Sequence, residues 1–181
     1  MKTLVIHPGD SSTDFLSIIY ENIQDKMVIR GNETIFEARD LIEIHDRVIM
    51  LGHGSPIGLF SLGRYPGSGS YVIDNMAVSL LKEKKENIYI WCNADEFVKR
   101  NNLMGFYSGM FISELHEAYC MGVNGTMDEV ESSNFFFSNT LSKHINESVE
   151  TMHKNVIVKY GEFGETNEIA KYNNNKLYYR L

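Results

Sequence analysis

The chain is poor in cysteine, in proline and in runs of basic residues, and each shortage narrows what it does. Cys92 and Cys120 are its 2 cysteines in 181 residues. They form no Cys-x-x-Cys pair, so neither a disulfide framework nor a zinc site is indicated. With 3 prolines, 14 glycines and no repeat or low-complexity block, nothing divides the chain, and residues 1–181 read as a single α/β domain with a helical part from about 127. The 17 basic and 24 acidic residues leave a net charge of -7. No cluster of Lys or Arg is dense enough to follow a phosphate backbone, which argues against a nucleic-acid partner. No apolar run reaches the length of a membrane span, and residues 3–6 meet His7-Pro8-Gly9-Asp10 too soon for a secretory core. The expectation is a soluble, cytoplasmic protein with no membrane partner.

What is present is an alternation of short apolar runs with helical patterns. Residues 3–6, 27–29, 48–51 and 88–91 are uninterrupted apolar runs bounded by turn residues, the pattern of strands buried on both faces of a parallel sheet. Between them, Phe15, Ile18, Ile19 and Ile23 fall at helical spacing, with Asp10, Ser11 or Ser12 as cap. Thr34 and Glu37 have the spacing of a capping box ahead of a stripe of Ile35, Ala38, Leu41 and Ile42. The order β-α-β-α-β predicts a doubly wound, mainly parallel sheet with helices on both faces and right-handed crossovers. Residues 58–74 read as a small β-hairpin around a Gly, Pro and Ser-rich turn, followed by a helix through Met76 to Leu81. Further on, 96–99 and 113–118 are predicted helical, 110–112 a fifth short strand, 127–145 and 148–160 long helices, and 172–181 an aromatic tail packed on the body.

The chemistry gathers where the strands end. Residues 48–51 run into Gly52-His53-Gly54-Ser55-Pro56, and residues 88–91 into Cys92-Asn93-Ala94-Asp95. In a parallel sheet, ligands collect outside the carboxyl ends of the strands, so His53 and Cys92 are expected to meet there. A thiol attacks a carbonyl as thiolate, and a neighbouring imidazole can take its proton and return it to the leaving group. Asn93 and Asp95 are expected to orient the histidine or to bind substrate. The start of a helix near Asp95 is expected to favour the Cys92 thiolate, whereas Cys120 is expected to be a packed, slow-reacting core thiol. Taken singly, His53 reads more plainly as a solvated turn residue and Cys92 as a small buried hydrophobe; their joint placement is what suggests a site.

A strand ending in His53-Gly54, a small hairpin, a helix and a parallel strand ending in Cys92 resembles the caspase-like cysteine peptidases, the group of caspases, metacaspases, clostripain and CHAT domains. The resemblance covers roughly residues 1–120. It implies a caspase-like fold, a Cys92/His53 dyad with Cys92 as nucleophile, and a Gly54 N–H that helps to stabilise the oxyanion. It implies a peptide partner and no cofactor.

His7, Asp10 and Arg30 follow the first two strands and are expected on the same rim, where Arg30 or Arg64 would bind an anionic group. The alternative to an enzyme is therefore a catalytically silent protein that holds a small polar or anionic ligand, of nucleotide type for example, in the same pocket. The glycines of 52–58 lack the Lys-Ser/Thr of a phosphate loop. Ser55 and Ser108 lack a Gly-x-Ser-x-Gly setting. Glu114, His116 and Glu117 read as a solvated face, not a metal site. Phe135, Phe136 and Phe137 read as core, with a homo-oligomer contact left open.

Overall fold

In the computed structural model, which describes residues 1–62 and 71–181, the apolar runs assemble into a six-stranded sheet. Its strands are β1 (Thr3–Ile6), β2 (Lys26–Ile29), β3 (Arg47–Leu51), β7 (Ile88–Ile90), β8 (Gly105–Ser108) and β9 (Leu177–Arg180), in the order β2-β1-β3-β7-β8-β9. The first five are parallel and β9 is antiparallel to β8. A smaller antiparallel sheet of β4 (Gly54–Ser55), β5 (Gly58–Phe60) and β6 (Tyr71–Ile73) decorates the end of β3. β5 and β6 pair antiparallel, as the expected hairpin requires, while its Gly, Pro and Ser-rich turn lies outside the described residues.

Side chains alternate between the two faces of the sheet, and each face is covered. Val5, Ile49, Leu51, Ile88, Ile90 and Phe106 pack against Leu16, Ile19, Phe137, Leu141, Val156 and Tyr160. These belong to a 3₁₀ helix (Asp14–Tyr20), α5 (Met127–His144) and α6 (Val149–Gly164). On the other face Leu4, Ile6, Val48, Met50, Tyr89 and Trp91 meet Ala38, Ile42, Leu81, Phe97 and Val98, from α1 (Ile35–Glu43), α2 (Val78–Leu81) and α3 (Ala94–Asn101). The doubly wound α/β architecture follows from this two-sided burial. Thr34 caps α1 in the expected box, accepting from the Glu37 N–H while Glu37 accepts from the Thr34 N–H.

Two expectations fail locally. The fifth strand is β8, not residues 110–112, because Ile112 is held by a side chain: Asn173, on α7 (Glu168–Asn174), accepts from the Ile112 N–H at 2.7 Å and donates to its carbonyl at 2.8 Å. β8 opens on Gly105 at φ 138, where a Cβ would meet the Asn87 carbonyl oxygen at 2.2 Å, a position only glycine fills comfortably. The aromatic tail does pack on the body, and it does so as the edge strand β9, paired with β8. And Thr13, not Asp10, Ser11 or Ser12, precedes the 3₁₀ helix, with no side-chain cap bond. No helix among the described residues is long and apolar enough to cross a membrane.

β1 and β3 are neighbours, yet their crossovers leave in opposite directions: the 3₁₀ helix on one face leads to β2, while the small sheet and α2 on the other lead to β7. Strand order reverses between them, and a crevice opens at their carboxyl ends.

Candidate functional site

β3 and β7 pair in parallel with Leu51 opposite Ile90, so His53 and Cys92 leave the sheet side by side, each two residues past that pair. Neighbouring strands run about 5 Å apart. Both residues line a cleft of about 480 Å³ at the strand ends, together with Asp10, Ser12, Gly54, Glu114 and Glu117. They also line a small void of about 20 Å³ with Trp91 and Phe111.

The loop after β1 supplies the partners of the histidine. Asp10 Oδ1 accepts from the Ser12 N–H at 2.9 Å and from Ser12 Oγ at 2.6 Å, and these bonds from Ser12 hold the Asp10 carboxyl below its usual range, with a smaller push from His53. Ser12 Oγ lies 2.7 Å from His53 Nε2. Because the hydroxyl proton is committed to a carboxylate, its oxygen is left to accept, which places the ring proton on Nε2 and leaves Nδ1 as the basic atom. Asp10, Ser12 and His53 form an orienting chain. Asp10 reaches the rim as expected, and Ser12, read from the sequence as a cap, has the larger part.

Cys92 is held differently. Its Sγ lies 3.7 Å from the Phe111 carbonyl and 3.8 Å from Glu117 Oε1. Burial, and then the Glu117 charge, push the thiol pKa up to about 12. This reverses the expected thiolate, since a buried carboxylate faces the sulfur. Cys120 is exposed, because it ends the short α4 (Leu115–Cys120) on its outer face; it is not a core thiol.

Glu117 is the residue that pattern reading placed on a solvated face. It is buried, with Oε2 accepting from the Ser113 N–H at 2.7 Å, Ser113 Oγ at 3.1 Å and the Glu114 N–H at 3.1 Å. The start of α4 thus requires it. Donor atoms of Glu114, His116 and Glu117 lie within 4.8 Å of one another, but that closeness is accounted for by the helix start and carries no metal assignment.

Gly54 also lines the cleft. A Cβ there would sit 2.3 Å from the Trp91 ring and 2.6 Å from the Gly58 carbonyl oxygen, so the hairpin closes onto β7 only with glycine. The Phe60 N–H donates to the His53 carbonyl at 2.9 Å, which makes Gly54 and Leu59 a non-hydrogen-bonded pair and turns the Gly54 N–H away from β5.

No family model and no curated protein matches this sequence.

Of the remaining expected residues, those that the structure describes are not among the lining of the cleft. His7 is fully buried and does not reach the rim: Nδ1 is 3.0 Å from Tyr20 Oη and Nε2 3.2 Å from the Thr13 carbonyl. Burial, and then Arg30, lower its pKa to about 4, so it fixes the loop after β1 as a neutral ring. Arg30 points outward, 3.8 Å from Asp14 and donating to Tyr20 Oη at 3.3 Å. Asn93 takes up a left-handed turn at φ 64, with its N–H on the Gly109 carbonyl at 3.2 Å. Asp95 pairs with Lys99 at 2.7 Å on α3. Neither is among the residues lining the cleft. Arg64 lies outside the described residues.

Proposed function

We propose that the protein is a cysteine-dependent acyl-transfer enzyme, a peptidase of the caspase-like type, acting on peptides in the cytoplasm through Cys92 and His53. The observation that supports this reading is the register of β3 on β7, by which His53 and Cys92 follow a shared strand pair by two residues each and both line one cleft. In the resting state the thiol is neutral and turned to Phe111 and Glu117. Catalysis therefore requires a rotation of Cys92 toward His53 Nδ1 as substrate enters, in keeping with the looser contacts of unliganded active sites. Nδ1 then takes the Sγ proton, the sulfur adds to the substrate carbonyl, and the imidazolium returns the proton to the leaving amine; water completes the cycle on the acyl-enzyme. The Gly54 N–H, turned from its hairpin, is a donor for the oxyanion. Turnover of a peptide and ester panel, expected to vanish in both Cys92→Ala and His53→Ala, tests the reading; turnover that survives Cys92→Ala ends it.

A catalytically silent binding protein is the second reading, favoured by the engaged, neutral thiol. In that case a small ligand raises the melting temperature of the wild type and Cys92→Ala equally. With Asp10, Glu114 and Glu117 on the walls and no Lys or Arg among the described lining residues, such a ligand is polar or cationic in place of the anionic one expected from the sequence.

A further inference from the structure

A larger groove, about 680 Å³, adjoins the strand-end cleft, within the size range of ligand sites. Phe15, Leu115, Tyr119, Met127, Val130 and Phe135 form its apolar walls, between the 3₁₀ helix, α4 and α5. Single exposed apolar residues are ordinary. Here Tyr119, Phe135 and Met127, exposed by 67%, 62% and 52%, converge on one concavity. Ser11, Ser12, Glu114 and His116 line both the groove and the cleft, so the two are continuous and lead to Cys92.

The charge of this trough selects its occupant. Asp10, Glu114, Glu117 and Glu131 line it, and no Lys or Arg does so among the described residues. An anionic membrane surface or an acidic segment is repelled. On the groove wall, Asn134 donates from Nδ2 to the Ser113 carbonyl at 2.9 Å and leaves Oδ1 buried without a donor, an acceptor that the chain itself does not satisfy.

We infer that the groove is a specificity subsite for an extended peptide substrate, taking a bulky aromatic or aliphatic side chain whose neighbours are basic and not acidic, a substrate class that rests on the acyl-transfer reading of the cleft. Apolar walls hold the side chain, and the carboxylates hold the flanking cations.

A series of capped hexapeptides with Phe, Leu, Ala or Glu at each position, flanked by Lys or by Glu, tests it. Turnover is measured with the wild type and binding with Cys92→Ala. Peptides with Phe or Leu beside Lys are expected to show the lowest KM. Tyr119→Ala with Phe135→Ala is expected to raise KM, and the Kd measured in the Cys92→Ala background, about tenfold, whereas Phe36→Ala, exposed on α1, leaves both unchanged. Turnover indifferent to the apolar residue or to the double variant overturns the subsite and spares the acyl-transfer reading. Binding of Phe-Lys peptides, weakened by the double variant but without turnover in the wild type, overturns acyl transfer and spares the subsite. A concentration-dependent dimer abolished by Phe135→Ala assigns the groove to a second copy and overturns the subsite.

Discussion

Ser12 holds the imidazole of His53 through one short contact, 2.7 Å from Oγ to Nε2, and is itself held by Asp10 at 2.6 Å. Removing the hydroxyl leaves the ring free to turn and to exchange tautomers. Ser12→Ala is therefore expected to lower kcat by roughly 10 to 100-fold with little change in KM, since general-base catalysis contributes on the order of 10²–10⁴. Steady-state kinetics decide it; an unchanged kcat would mean that Nε2 needs no partner.

The two thiols are expected to react in the order set by exposure and charge. Iodoacetamide at neutral pH should modify exposed Cys120 before Cys92, whose proton burial and Glu117 retain. Glu117→Gln keeps one acceptor for the Ser113 and Glu114 N–H groups and removes the charge. It should speed Cys92 alkylation by up to roughly tenfold and move the midpoint of its rate–pH curve downward. Mass spectrometry of a time course reads both effects, and Cys92 reacting first in the wild type would contradict the neutral thiol.

Gly54→Ala forces a methyl group into the Trp91 ring and the Gly58 carbonyl. Overpacking of this kind costs about 1–3 kcal/mol. Urea unfolding should show a lower midpoint with the same slope.

His7 makes folding sensitive to acid. Its pKa is lowered from 6.5 to about 4 in the folded chain, so between those values the unfolded chain binds a proton that the folded one refuses. The stability it contributes is complete above about pH 6.5 and lost as pH falls toward 4, by about 3 kcal/mol in all. Denaturation across that range should show this slope in the wild type and a flatter one in His7→Asn.

β1, β3 and β7 were legible because each is buried on both faces and so is largely apolar, and the Thr34 box because its two partners are local. β8 was not legible, since Gly105 and Ser108 are poor strand formers and only pairing with β7 and β9 makes them extend. His53, Gly54 and Cys92 announced themselves as polar residues after strands. Ser12 and Glu117 did not: their roles depend on atoms 41 and 25 residues away, and locally each resembles an ordinary capping residue. His7 and Arg30 share a strand-end position in sequence. His7 turns inward and Arg30 outward, and the Tyr20 hydroxyl contacts both.

The pairing of Gly105 with Arg180 places nearly the whole helical half of the chain between two neighbours in the sheet. Until β9 docks, β8 is an open edge with Phe106 and Tyr107 on it. Closing so long a loop is slow, and an unpaired edge meanwhile recruits other chains. A chain cut short of Leu177 should keep its cleft residues yet form aggregates, through an edge that β9 otherwise covers.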